Sequence, residues 1–220
     1  MLYVKRFGFV LGILVISMQY ACLPYGSRAF HVPLLNEKGD LQVGASISPL
    51  TGLEIQADYA WSHHFYSPVD FSYSYLKSGQ TSQQSNAYSV GIGYYTKIKE
   101  NTRFNCYFTP MYGNYGSANS SFQSNFFAQS LGADIGHRFK HFESAFSLKF
   151  ETFQLLDNNF RFEGGSPNLT PGLTMRFGGE RYKFHMQLGL SYPLTNNDDF
   201  VFYTMGMGLT YRINVFNRTH

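Results

Sequence analysis

The sequence predicts an all-β chain that closes into an up-and-down antiparallel transmembrane barrel of about ten strands, eight being the alternative count. Three observations carry that expectation. From Asp40 onward apolar and polar residues alternate with a period of two, so each strand has two unlike faces. The alternating segments are even in number, and the connections between them are by turns short and long. Of the 220 residues 14% are charged and 18% aromatic, whereas an ordinary soluble domain carries roughly 25% charge. No long apolar run follows residue 20, which excludes a helical membrane bundle. The aromatic content likewise excludes a disordered chain.

Residues 1–21 read as a cleaved signal peptide: Lys5 and Arg6 precede an apolar run from Phe7 to Met18, too short to span a bilayer. Ala21 then leads into Cys22, the candidate lipidation site; cleavage after Ser27-x-Ala29, with Cys22 a bystander, is the alternative. Loss of Lys5 and Arg6 leaves 15 bases against 14 acids, no footprint for nucleic acid. Residues 22–39 are expected to form a periplasmic tether or a plug, and 40–220 the barrel. Cys106 is the one other cysteine, and two cysteines are too few for a Cys-type metal site.

The first strand is expected over Leu41–Ser48. The second sets Leu53, Ile55, Ala57, Tyr59 and Trp61 against Glu54, Gln56 and Asp58. The third covers Phe65–Tyr75, and the fourth sets Tyr88, Val90, Ile92 and Tyr94 against Ser89, Gly91, Gly93 and Lys97. Arg103–Tyr112 forms the fifth. In the sixth, Phe127, Leu131, Ala133, Ile135 and Phe139 oppose Ser130, Gly132, Asp134 and Arg138. The seventh opposes Phe142, Phe146, Leu148 and Phe150 to Glu143, Ser147, Lys149 and Glu151. Leu169–Gly178 is the eighth. The ninth has Tyr182, Phe184, Met186, Leu188, Leu190 and Tyr192 on one face; Phe200–Ile213 is the tenth.

Short connections fall near Ser62–His64, Lys99–Thr102, Lys140–His141 and Gly178–Glu180; longer ones lie near Lys77–Gln84, Asn114–Gln123, Leu156–Ser166 and Thr195–Asp199. Outer-membrane barrels have short periplasmic turns and longer outer loops. Aromatic residues at the strand ends suit the interfacial girdles. Pro68, Pro110 and Pro171 cannot donate to a ladder and are expected close to strand ends.

The run Val32-Pro33-Leu34-Leu35-Asn36-Glu37-Lys38-Gly39-Asp40-Leu41-Gln42-Val43-Gly44, followed by Leu53–Ala60, resembles the start of a family of small outer-membrane barrel proteins of Bacteroidota-type Gram-negative bacteria. The Phe142–Phe150 strand and the Phe184–Leu194 segment are similar as well. The resemblance implies a barrel in the outer membrane and, in many members, an acceptor cysteine where Cys22 stands. Asp40 replaces the usual Glu. No enzymatic activity comes with the resemblance.

The polar faces should line the lumen, with acids at Glu54, Asp58, Asp134, Glu143 and Glu151. The inward bases are Lys97, Arg103, Arg138, Lys149, Arg176, Arg181, Lys183 and Arg212, most of them near the periplasmic mouth. Glu54, Asp58, Asp134, Lys149, Glu151, Arg176, His185 and Arg212 are expected to form a paired polar network, since buried charges need partners. Inward Tyr95 and Tyr107 would help to close the lumen, and Gly91, Gly93, Gly132, Gly206 and Gly208 would make room for large neighbours. Proteolytic or deacylase chemistry would need a histidine at the outer rim. His63, His64, His137 and His141 fall at or beside periplasmic turns and His185 lies inside a strand. No enzyme, metal or cofactor is therefore expected.

Two functions remain open: a lipid-tethered structural or surface-interaction barrel with a largely plugged interior, or a narrow channel for small solutes. The expected partners are outer-membrane lipids and an unknown surface or periplasmic protein, with the barrel itself a monomer.

Overall fold

The computed structural model describes residues 30, 32–48, 52–78, 81–117, 123–156, 162–194 and 202–215. The leader and Cys22 lie outside these residues. Eleven β segments follow one another: β1 (Asp40–Ser48), β2 (Gly52–Ala60), β3 (Phe65–Ser78), β4 (Thr81–Val90), β5 (Ile92–Lys99), β6 (Thr102–Ser117), β7 (Gln123–Arg138), β8 (Phe142–Leu156), β9 (Phe162–Gly178), β10 (Tyr182–Pro193) and β11 (Phe202–Asn214). Each pairs antiparallel with its neighbours, and β1 also pairs with β11 from Asp40↔Asn214 to Ile47↔Met207, which closes the sheet. Because β3 and β6 each pair with both β4 and β5, those two are halves of one stave. The barrel is ten-stranded, as the alternation predicts.

The broken stave has a cause in its neighbours. The register of β3, with Val69↔Val90 and Tyr66↔Gly93, carries Pro68 to the level of Gly91. On the other flank, Ser89↔Met111 and Ile92↔Phe108 carry Pro110 to the level of Val90. Proline has no N–H to give, so both ladders lapse at one height. The Gly91 N–H donates to the Pro68 carbonyl at 2.9 Å. A Cβ on Gly91 would overlap the Phe108 carbonyl and the Thr109 side chain, so the close approach needs glycine. Pro171 acts in the same way: β9 and β10 pair at Gly172↔Gly189 and again at Leu169↔Tyr192, and between them the Thr170 hydroxyl donates to Ser191 Oγ at 3.0 Å. Pro110 and Pro171 therefore lie well inside their strands, not near the ends. The wall tolerates them because each donor is lost where the ladder is already open.

The faces are inside out relative to a soluble protein. Ile47, Leu53, Val69, Leu131, Ile135, Phe146, Leu188 and Leu209 are exposed on the outer wall, while Asn105, Ser147, Thr170 and Thr174 are buried inside it. At the short-turn end, Trp61 stacks on Phe65, and Phe139, Phe142 and Phe177 form a second ring cluster. Lys97, near the end of β5, and Arg181, in the turn before β10, are exposed at this end, not inside as expected.

Several strands run further than the alternation indicates. β3 reaches Ser78, β6 reaches Ser117, and β9 begins at Phe162, so much of the sequence assigned to the Lys77–Gln84, Asn114–Gln123 and Leu156–Ser166 loops is sheet. The tips at 79–80, 118–122 and 157–161 lie outside the described residues, as do Thr195–Asp199 and the acids Asp157, Asp198 and Asp199.

Candidate functional site: the occupied lumen

At the short-turn end, register brings opposite charges together across three strands. Arg138 on β7 faces Glu143 on β8, which faces Arg176 on β9. Glu143 accepts from Arg138 Nε at 2.8 Å, pairs with Lys183 Nζ at 3.1 Å and lies 3.9 Å from Arg176. This carboxylate is only 2% exposed, so its three cations are its solvent. Across the barrel seam, Arg212 donates to Asp40 Oδ2 at 2.9 Å. Asp40 also accepts the Asn36 N–H at 2.7 Å, the Glu37 N–H at 3.4 Å and, through Oδ1, Asn214 at 3.0 Å. With Gly39 at φ 87°, a conformation only glycine adopts freely, Asp40 holds the turn that leads into β1.

That turn sends the preceding chain into the lumen. Phe30, Val32, Leu34 and Leu35 are 1–2% exposed. The wall holds the segment chiefly by its main chain. Gln187 exchanges two bonds with Phe30: the Phe30 N–H donates to Oε1 at 3.2 Å, and Nε2 donates to the Phe30 carbonyl at 2.9 Å. Arg176 donates to the Val32 carbonyl at 2.5 Å, joined there by Gln42 at 3.5 Å, and Arg138 donates to the Leu34 carbonyl at 3.2 Å. Arg103 closes the series by donating to Asn36 Oδ1 at 3.0 Å.

The side chains sit in gaps that the wall leaves open. A Cβ on Gly172 or Gly189 would overlap the Phe30 ring, and one on Gly136 would overlap the Leu34 side chain. Lys149 Nζ lies 5.5 Å from the Phe30 ring centre.

The barrel is plugged by its own chain.

No protein-family model matches this sequence, and no curated protein matches it. In backbone it is similar to the translocator domain of the autotransporter NalP from Neisseria meningitidis, at 10% identity and a TM-score of 0.42, over 96% of each chain.

The rest of the lumen is filled by the wall itself. Beside the plug, Tyr66, Tyr95 and Tyr107 cluster with Leu35 and Ala60; Gly93 makes way for the Tyr66 ring and Gly132 for that of Tyr107. Gly91 instead faces the Phe108 carbonyl and Thr109, Gly208 faces backbone atoms and Gly206 faces open space, so the expectation of large neighbours fails for these three. Nearer the long-loop end, Ala87, Met111, Phe126 and Ala128 form an apolar cluster with Tyr115, Phe153 and Leu155.

The predicted network residues are all on the inner side. Glu54, Asp58, Asp134, Lys149, Glu151, Arg176 and His185 are each at most 4% exposed. Lys149 pairs with Glu151 at 3.6 Å; Asp134 accepts from Asn105 at 2.6 Å; His185 Nδ1 lies 2.8 Å from Thr210 Oγ1. Arg176 belongs with Glu143, and Arg212 with Asp40. Gln42, Gln187 and Asp40, absent from the predicted network, position the plug together with Arg176, Arg138 and Arg103. The run that carries the family resemblance, Val32–Gly44, is the plug with its turn and the start of β1: Pro33 and Leu34 lie in the lumen, Gly39 and Asp40 make the turn, and Gln42 reaches back to Val32.

Proposed function

We propose that this chain is an outer-membrane β-barrel without catalytic activity, lipid-tethered through Cys22, that serves as a structural or surface-interaction element and not as an open pore. The observation that carries this reading is the occupied lumen: Phe30, Val32, Leu34 and Leu35 fill one side and Tyr66, Tyr95 and Tyr107 the other. A belt of exposed aliphatic residues around a polar interior is what a bilayer demands of a barrel. Noncatalysis is supported by the histidines. Among the described residues, His63, His64, His137 and His141 stand at the short-turn end, and His185 lies within the wall with its Nδ1 2.8 Å from Thr210 Oγ1.

The test is conductance of the refolded barrel in a planar bilayer, with folding verified by faster gel migration unheated than boiled. Silence at both polarities is expected. Steady, ion-selective openings would overturn the closed reading in favour of the solute channel. Incorporation of a labelled fatty acid, lost in Cys22→Ser, checks the tether.

A further inference from the structure

We infer that the lumen wall is a binding site for an extended polypeptide strand, occupied in this structure by the chain's own residues 30 and 32–36 and able to exchange them for another strand of the same pattern. The inference rests on the reading of the barrel as closed by this segment. Three features of the wall are those of a ligand site and not of a generic core.

The first is what the wall recognises. Gln187, Arg176, Gln42 and Arg138 address the carbonyls of residues 30, 32 and 34, which any strand presents. The same alternate residues turn their side chains into the wall, the period-two reading by which extended peptides are bound elsewhere. The second is the shape of the seats. Gly172 and Gly189 together leave an aromatic-sized notch under residue 30, and Gly136 leaves a smaller one under residue 34. The ligand class is thus an extended peptide with an aromatic residue, then apolar residues two and four positions later. The third is independence from the wall. The segment joins β1 only through the exposed Glu37–Lys38 turn, and no β-ladder includes it.

The experiment uses the full chain with a site-specific protease sequence inserted between Glu37 and Lys38, cleaved after folding. The fragment ending at Glu37 should stay with the barrel through gel filtration in detergent. It should then exchange for an excess of a fluorescent synthetic peptide spanning residues 30–37. A peptide with Phe30 and Leu34 replaced by glycine should not compete. Gln187→Ala, which removes both bonds to Phe30, should weaken the labelled peptide about tenfold or more.

Release of the fragment on cleavage from a barrel that stays heat-modifiable would overturn the inference while leaving the closed-barrel reading to its conductance test. So would a fragment that never exchanges, which would make it a fixed part of the fold. Equal competition by the glycine-substituted peptide would refute the notches as seats.

Discussion

Glu143→Gln is the substitution that most directly tests the charge arrangement in the lumen. It keeps the volume and one acceptor oxygen but removes the charge on which Arg138, Lys183 and Arg176 converge. Breaking a buried pair by removing one partner costs about 3–5 kcal/mol. Arg138 is 31% exposed and regains water, and it also keeps the Leu34 carbonyl, so its share is small. Arg176 retains the Val32 carbonyl and Gln42. Most of the loss therefore falls on Lys183, and the lower end of the range, about 3 kcal/mol, is expected. With an m-value of about 2 kcal/mol per molar urea, the unfolding midpoint should fall by roughly 1.5 M. The assay is urea unfolding in detergent micelles, followed by loss of the fast-migrating band on unheated gels. Lys183→Met in the Glu143→Gln background should recover about 1–2 kcal/mol as a coupling term. A midpoint unmoved by Glu143→Gln, or a cycle with no coupling, would refute the view that this carboxylate anchors the short-turn half of the lumen.

Leu131→Arg, in the middle of β7 on the outer wall, should cost about 2–4 kcal/mol in a bilayer, whereas Ile98→Arg, near the short-turn end, should cost about 1 kcal/mol or less; urea midpoints in lipid vesicles compare them. Gly91→Ala forces a methyl group onto the Phe108 carbonyl and should destabilise the barrel by about 1–3 kcal/mol, while Gly206→Ala, whose Cβ meets nothing closer than 3.9 Å, should be neutral or stabilising by up to about 1 kcal/mol. The same denaturation series reads both.

The faces of the staves are legible because an apolar outer wall and a polar inner side impose one alternation on every strand. Leu131, Ile135 and Phe146 against Gly132, Asp134 and Ser147 need no other information. The strand ends are not legible where polar residues take both faces, as at Asn114–Tyr115 and Ser124–Asn125, so the alternation fades before the hydrogen bonding does. The prolines mislead for a related reason. A sequence shows that Pro68 and Pro110 lack donors, but only the register shows that both fall beside the same break.

The plug is hidden in another way. Val32-Pro33-Leu34-Leu35 has no period, so the sequence leaves tether and plug equally open, since its seats are written elsewhere, in the absent side chains of Gly136, Gly172 and Gly189. Asp40 and Gln42 sit at the start of a strand and look like ordinary inward polar residues until the turn at Gly39 folds the chain back over them.

The staves are of very unequal length. β1 and β2 have nine residues each, close to the bare minimum for a tilted strand to cross a bilayer, whereas β7 has 16 and β9 has 17. The turns at 61–64, 100–101, 139–141 and 179–181 share one level, so the surplus stands at the other mouth, as a curved palisade roughly 15 Å taller than the opposite lip. The molecule thus has a front and a back when seen from outside the membrane. An approaching body meets paired sheet on one side, stiff where a loop would yield, and a low sill on the other. Phe30 lies on the tall side, seated between Gly172 of β9 and Gly189 of β10, with ten residues of β9 rising beyond its seat. The palisade thus stands over the buried aromatic end of the plug, and the low sill faces it from across the lumen.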